Sequence, residues 1–150
     1  MNPTVIDASV VLRWAFEDET DRAGASAVAE ALQAGSLTAS APPNFLLEVA
    51  ASLVVGLRAG RIPRQTLDTV MGALAAIAID EADPHRFAEA ALDVALRTGL
   101  RVPDAAYLET ARCTGATLIS ADHAQVRAAE ALGIAALTLR DLPPPLDRRS

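Results

Sequence analysis

The side chains of this 150-residue chain that could carry out chemistry are carboxylates. Four acids stand out by their position: Asp7, Glu48, Asp104 and Asp122. Asp7 follows the apolar run TVI, and Asp122 comes just after the run TLIS, so each is expected near the end of a strand. A lone carboxylate in such a place is unfavourable to bury unless something compensates its charge. We expect the compensation to be a metal ion shared by several acids.

Glu48 is the least expected of the four acids. It is the only charged residue between Glu30 and Arg58, and it lies in the apolar run FLLEVAASLVV. No basic residue lies within helical reach of it, and a buried Glu without a partner is costly or stays protonated. The alternative is a thin solvent-facing stripe with Asn44 and Ser52, at i−4 and i+4. Such a stripe is also typical of a helix that lines a site, and a site is the interpretation favoured here.

The chemistry of four acids in one cleft points to hard cations. Carboxylates gathered together raise one another's pKa unless cations neutralise them. Ligand oxygens without His or Cys suit Mg²⁺ or Mn²⁺. One or two such ions can orient water, lower its pKa and stabilise the leaving oxygen of a phosphodiester. Ser9 and Ser120, each two residues from an acid, offer hydroxyls that could orient carboxylates or bound water. The set predicts a metal-dependent nuclease.

Three of the acids also have a purely structural interpretation. Asp is favoured as a helix N-cap, and acids are favoured in the first helical turn. This preference would account for Asp7, Asp104 and Asp122 taken singly. The metal-site hypothesis therefore depends on their meeting at one edge of a sheet, since ligands of open α/β sheets bind outside the carboxyl ends of the strands.

Composition excludes several other kinds of site. All thirteen basic residues are Arg, so a P-loop of the GK[ST] type and Schiff-base chemistry are both excluded. Two His and one Cys supply hydrolytic triads poorly and exclude an internal disulfide. The net charge of −6 argues against bulk attraction to nucleic acid, but a carboxylate site itself contributes to that total. The apolar runs are too short to cross a bilayer, and no signal-peptide pattern opens the chain, so a cytoplasmic protein is expected.

The elements that must position these acids alternate between strands and helices. Short apolar runs predict five strands, over residues 3–7, 36–41, 77–80, 116–120 and 134–139. Helical spacing predicts helices between them, the first with Ser9 as its N-cap. The alternation is typical of an α/β protein, here a three-layer α/β/α fold whose short parallel sheet is covered by helices on both faces. One domain is expected over residues 1–142, followed by a Pro-rich tail over 143–150.

At these residues the chain resembles PIN-domain ribonucleases of the VapC toxin type. The resemblance runs through VIDASVVLRW, PPNFLLEVAASL, LRVPDAAYLETA and ATLISAD, in that order along nearly the whole domain. It implies that Asp7, Glu48, Asp104 and Asp122 form a metal-dependent active site, with Asp7 and Asp104 the most consistent metal ligands. It also implies an RNA substrate, a small antitoxin of the VapB type and a homodimer.

Three positions depart from the family's usual pattern. Ala51 stands where an Asn often follows the Glu by three residues, and Ser120 replaces a common Thr but keeps the hydroxyl. Pro103 stands where an aromatic or polar residue is more usual. None of these departures removes an acid, so they bear on substrate choice and leave the carboxylates in place.

Two families of phosphate-transfer proteins do not fit the residues present. A haloacid-dehalogenase-like phosphatase would need a second Asp at position 9 and a later Lys, but position 9 is Ser and the chain has no Lys. A phosphorylation receiver is excluded by the same missing Lys. A non-catalytic PIN-like interaction module and a PIN nuclease of RNA processing that is not a toxin remain open. Three cations, Arg58, Arg61 and Arg64, could contact RNA phosphates or could simply stabilise a helix end and a solvated turn.

Overall fold

The structure, a computed structural model, describes residues 3–142 of the chain. Its centre is a five-stranded parallel sheet with the order β3-β2-β1-β4-β5. The strands are Pro3–Ile6 (β1), Thr38–Ala41 (β2), Ile77–Ile79 (β3), Thr117–Ser120 (β4) and Ala136–Thr138 (β5). The five predicted strands are confirmed, each shorter than its apolar run. The predicted tail at 143–150 lies outside the described residues.

Seven α-helices accompany the sheet within residues 3–142. They are Ala8–Ala15 (α1), Arg22–Gln33 (α2), Phe45–Arg58 (α3), Arg64–Ala73 (α4), Pro84–Thr98 (α5), Val102–Thr114 (α6) and His123–Ala131 (α7). Helices α2, α3 and α4 pack against α1, while α5 and α7 pack against α6. The predicted three-layer α/β/α fold with helices on both faces is confirmed. No helix within residues 3–142 is long and apolar enough to cross a lipid bilayer.

The central pair of strands, β1 and β4, is what positions the candidate site. Val5 and Ile6 of β1 are fully buried, as expected for the middle strand of a parallel sheet covered on both faces. In the register of the pair, Ile6 lies opposite Ile119. The backbone N–H of Asp7 then donates to the carbonyl of Ile119 at 3.0 Å, which extends the pairing by one residue. The chain therefore leaves β1 and β4 side by side at the same edge of the sheet.

The first helix corrects one prediction. Its N-cap is Asp7, not Ser9, because strand β1 ends at Ile6 and Asp7 keeps an extended backbone (φ −72°, ψ 150°). From that position Oδ2 of Asp7 accepts a hydrogen bond from the backbone N–H of Ser9 at 2.9 Å. The helix ends at Ala15, where Phe16 turns to extended backbone and is buried in the core.

Candidate active site

Asp7 is the most deeply buried of the four predicted acids, with 6% of its surface exposed. Burial raises the pKa of its carboxyl, and the charge of Asp104 raises it further. Hydrogen bonds from the side chain and backbone of Ser9 and from the side chain of Gln125 act in the opposite direction and favour the ionised form. Asp7 is therefore a carboxylate held out of water, where a nearby cation would stabilise its charge strongly.

Gln125, on helix α7, connects three parts of the site. Its Nε2 donates to Oδ1 of Asp7 at 3.2 Å and to the backbone carbonyl of Asp104 at 3.0 Å. Because both neighbours are acceptors, they also determine which end of the amide is the nitrogen. The opposite atom, Oε1, is buried and has no hydrogen-bond partner within residues 3–142. Gln125 therefore holds the end of β1, the start of α6 and α7 together.

Glu48 lies in the first turn of helix α3 and is half-buried. Its Oε2 accepts a hydrogen bond from the hydroxyl of Tyr107 at 2.8 Å and one from Nδ2 of Asn44 at 3.3 Å. Burial raises the pKa of Glu48, the Tyr107 hydroxyl lowers it, and the charges of Asp7 and Asp104 raise it again. Tyr107 thus holds Glu48 from outside the predicted stripe, and the contact with Asn44 along that stripe is present as well.

Asp104 lies in the first turn of α6, as its sequence position predicted. Its side chain is one-fifth exposed, and Oδ2 accepts from Nε of Arg101 at 3.1 Å. Arg101 is also close enough to Glu48 and Asp122 that their charges contribute to raising the pKa of its guanidinium. Arg101 thus places a cation within electrostatic range of three of the four acids.

Asp122 is the N-cap of α7, where Oδ1 accepts from the backbone N–H groups of Ala124 at 2.9 Å and Gln125 at 3.3 Å.

The two predicted hydroxyls lie between the turns that carry Asp7 and Asp122. Oγ of Ser9 accepts from the N–H of Ala121 at 3.0 Å, and Oγ of Ser120 accepts from the N–H of Asp122 at 2.9 Å. The two hydroxyl oxygens are 3.5 Å apart, so Ser9 and Ser120 connect the two turns.

The residues present fit a hard cation by their chemistry. The structure brings Asp7, Glu48 and Asp104 within electrostatic range of one another, and all three offer oxygen ligands. Within residues 3–142, no three His, Cys, Asp or Glu side chains converge closely enough to hold one ion together. Mg²⁺ usually keeps several waters and takes only one or two carboxylates. Asp7 and Asp104 could supply such a pair.

Two of the three arginines that were candidates for RNA contact, Arg61 and Arg64, have acidic partners close by. Arg61 pairs with Asp18 at 2.7 Å and with Glu19 at 3.5 Å, and its guanidinium carbon lies 4.2 Å from the centre of the Phe16 ring. Arg64 pairs with Asp68 at 3.0 Å. Their role in RNA binding stays a prediction.

A groove of about 410 Å³ is lined by both Arg61 and Ser9. It lies between α1 and α3, and its other lining residues include Arg13, Glu19 and Ser52. Leu12, Phe16 and Val55 give it a largely apolar wall. Ser9, one of its lining residues, donates its backbone N–H to Asp7, so the groove reaches a residue in direct contact with that acid.

Sequence reasoning missed three residues of the site: Arg101, Tyr107 and Gln125. Each is three positions from a predicted acid, since Arg101 and Tyr107 flank Asp104 and Gln125 follows Asp122. Side chains three apart on a helix share a face. That spacing was the available signal, and it would have named Tyr107 and Gln125 as residues on the same side as the acids.

The fold is similar to solved structures at low sequence identity. PAE2754 from Pyrobaculum aerophilum has a TM-score of 0.70 at 17% identity, covering 93% of this chain and 90% of that chain. A domain of a functionally unknown protein from Methanocaldococcus jannaschii has a TM-score of 0.57 at 18% identity, covering 100% and 99%. FitAB, solved bound to a DNA fragment, has a TM-score of 0.62 at 13% identity, covering 93% and 97%. These likenesses concern the fold.

No curated protein matches the chain. The PIN domain family model matches residues 4–131, which include all four acids as well as Arg101, Tyr107 and Gln125. Proteins of this family are generally metal-dependent nucleases. The matched span covers most of the chain, from the first strand through helix α7. The chain therefore belongs to the PIN domain family.

Proposed function

We propose that this protein is a Mg²⁺- or Mn²⁺-dependent endoribonuclease that acts as the toxin of a toxin–antitoxin pair. The observation that carries the proposal is the buried carboxylate of Asp7, placed at the carboxyl end of the central strand. The charge of Asp104 raises the pKa of this carboxyl, and the charges of Asp7 and Asp104 raise the pKa of Glu48. A site whose acids disfavour one another's ionised forms is one that a divalent cation would stabilise.

The roles of the side chains follow from their burial and partners. Asp7 and Asp104 would hold the ion, with Glu48 and Asp122 completing a four-carboxylate site directly or through bound water. When bound, the ion would supply an activated water and stabilise the leaving oxygen of the phosphodiester. The Tyr107 hydroxyl keeps Glu48 oriented by its 2.8 Å hydrogen bond. Ser9 and Ser120 fix the turns that carry Asp7 and Asp122.

The groove between α1 and α3 supports a single-stranded RNA path toward these acids. Its apolar wall offers contact for bases, and Arg61 offers a cation that could exchange Asp18 or Glu19 for a phosphate. Arg58 at the end of α3 and Arg64 at the start of α4 would add two more cations near Arg61 for the RNA phosphates.

The toxin role and its partners rest on resemblance more than on geometry. The VapC-like motifs support a small antitoxin of the VapB type and a homodimer. FitAB has a similar fold and is found on a DNA fragment, which is consistent with this fold serving in nucleic-acid-associated assemblies. Exposed apolar side chains on α3, Leu47 and Val55, are available for a protein partner.

A second candidate is a non-catalytic interaction module. It is favoured by the absence, within residues 3–142, of three acids converged on one point. It is also favoured by the hydrogen bonds that Glu48, Asp104 and Asp122 already accept from other groups of this chain. This candidate expects no metal-dependent cleavage.

The decisive experiment is RNA cleavage by wild-type protein and Asp7→Asn, each with Mg²⁺, with Mn²⁺ and with a chelator. Asn is as good an N-cap as Asp, so the start of α1 is preserved while the charge is lost. We expect cleavage to fall at least about a hundredfold. Asp83→Asn is the matched control, since Asp83 caps α5 in the same way, through the N–H of Arg86 at 3.0 Å. Undiminished cleavage by Asp7→Asn would refute the mechanism.

Thermal unfolding with added metal tests the site without relying on activity. At a metal concentration a hundredfold above Kd, binding to the folded state alone adds about 2.7 kcal/mol, or about 5 to 10 °C in Tm. The wild-type chain and Asp83→Asn should show this shift, and Asp7→Asn should not. No shift in the wild-type chain would favour the interaction module.

Expression in a bacterial host separates a toxin from an RNA-processing nuclease. The native chain should arrest growth unless its antitoxin is co-expressed, and Asp7→Asn should not. A wild-type chain that cleaves RNA in vitro but leaves growth unaffected would support the processing role instead.

A further inference from the structure

Arg101 occupies a position that local helix preferences disfavour. It is the N-cap of α6, where Ser, Thr, Asp or Asn is preferred and where the helix dipole disfavours a cation. Its side chain makes no capping hydrogen bond. Residues that break a local rule tend to mark functional positions.

The contacts of Arg101 leave most of its guanidinium available. Nε donates to Oδ2 of Asp104 at 3.1 Å. Its two terminal nitrogens make no hydrogen bond within residues 3–142, and 78% of the side chain is exposed. The charges of Glu48 and Asp122 also act on this side chain. Arg101 therefore lies within electrostatic range of three of the candidate acids, with two terminal nitrogens that make no hydrogen bond in the described part of the chain.

Another arginine shows what an ordinary ion pair of this kind looks like. Arg140 donates from Nε to Oδ1 of Asp21 at 3.0 Å, and the exposed fractions of the two side chains are 66% and 16%. The Arg101–Asp104 pair has exposed fractions of 78% and 20%. The two pairs match in donor atom, distance and exposure, but only Arg101 lies among the candidate site's acids.

We propose that Arg101 binds a phosphate of the RNA substrate at the active site and holds Asp104 when no substrate is present. This inference rests on the proposed function, and it deepens that function by naming a substrate-binding residue. A guanidinium presents parallel donors that match two phosphate oxygens, as they match a carboxylate. The same cation can therefore exchange Asp104 for a phosphate without moving far from the site.

The exchange has a consequence for metal binding. In the free protein Arg101 and a divalent cation compete for the carboxylate of Asp104. Removing Arg101 should therefore weaken RNA binding while leaving metal binding as tight as before or tighter. If Arg101 merely held Asp104 in place, its removal would weaken both RNA binding and metal binding.

The test compares wild-type protein, Arg101→Gln and the matched control Arg140→Gln. Binding of a fluorescent single-stranded RNA is followed by anisotropy in chelator over a range of salt concentrations. Arg101→Gln should bind about tenfold more weakly. The slope of log K against log salt should become shallower by about 0.7, the value for one phosphate contact on a single strand. Arg140→Gln should match the wild-type chain.

A Mn²⁺ titration of the same three proteins, followed by the change in Tm, gives the second readout. Arg101→Gln should bind Mn²⁺ at least as tightly as the wild-type chain. Weaker Mn²⁺ binding, unchanged RNA binding, an equal loss in Arg140→Gln, or no RNA binding by the wild-type chain in chelator would each overturn the inference. Cleavage by the wild-type chain in Mg²⁺, measured in parallel, shows whether the proposed function itself has failed.

Discussion

Replacing Gln125 by Glu changes a buried donor into a carboxylate at nearly constant shape. Gln125 is 1% exposed, and its Nε2 lies 3.2 Å from Oδ1 of Asp7. In Gln125→Glu two carboxylates would face each other at about this separation, out of water. At an effective dielectric constant near 20, two unit charges 3.2 Å apart repel by about 5 kcal/mol.

The variant can avoid this repulsion by keeping one proton on the pair. An ordinary Glu has a pKa of about 4.3, so holding that proton at pH 7 costs at most about 3.7 kcal/mol. The folded state then binds a proton that the unfolded chain has released, so stability falls as pH rises. The unfolding free energy of Gln125→Glu, relative to wild type, should fall by about 1.4 kcal/mol per pH unit from about pH 4.5 to 7.

Urea unfolding followed by circular dichroism between pH 4 and pH 8 measures this difference. The wild-type reference is essential, because the raised pKa values of Asp7 and Glu48 already make the native chain less stable as pH rises. Gln125→Met removes the donor without adding charge, so its decrease in unfolding free energy should depend little on pH. Gln65→Glu adds the same charge at an exposed position of α4 and should change stability by less than about 0.5 kcal/mol. A pH-independent loss in Gln125→Glu, equal to that of Gln125→Met, would refute the reasoning.

Tyr107→Phe should retain packing but remove the hydroxyl that donates to Glu48 at 2.8 Å. In urea titrations its unfolding free energy should be lower than that of the wild-type chain by about 1 to 2 kcal/mol at pH 7, and by less at pH 4, where Glu48 is protonated. An equal difference at both pH values would contradict a hydrogen bond from Tyr107 to the Glu48 carboxylate. Gly24→Ala should lower the unfolding free energy by about 1 to 3 kcal/mol, because a Cβ there would meet the backbone carbonyl oxygen of Leu139. Gly72→Ala, a helical glycine with open space around it, should instead raise stability by up to about 1 kcal/mol in the same assay. Equal effects of the two alanines would contradict the packing of α2 against residue 139.

The fold was predictable because its signals are local. Strand β4 follows from the run ATLIS, and helix α5 is bounded by Pro84 at its start and Gly99 at its end. The alternation of such elements implies a parallel sheet covered by helices. The boundary of α1 was less predictable, because Ser9 and Asp7 are both acceptable caps and only the pairing of Asp7 with Ile119 of β4 selects Asp7.

The candidate site was predictable in part, for the same reason. The four acids are visible because a charge in an apolar run or at an element end stands out in the sequence. Their surroundings are not visible, since Glu48 meets Tyr107 across 59 positions and Asp7 meets Gln125 across 118. Arg61 is a further case, because its partner Asp18 lies 43 positions away along the chain.

By itself, the sequence of this protein determined the order of strands and helices and singled out four carboxylates as candidate site residues, because hydrophobic periodicity and local charge suffice for both. Only the tertiary structure decided which groups surround those carboxylates. It buried Asp7 against Gln125, gave Glu48 a hydroxyl partner and set Arg101 beside Asp104. The physical reason is that the ionisation of a carboxyl depends on neighbours within a few ångströms, and α3, α6 and α7 bring those neighbours together only when they pack around the sheet.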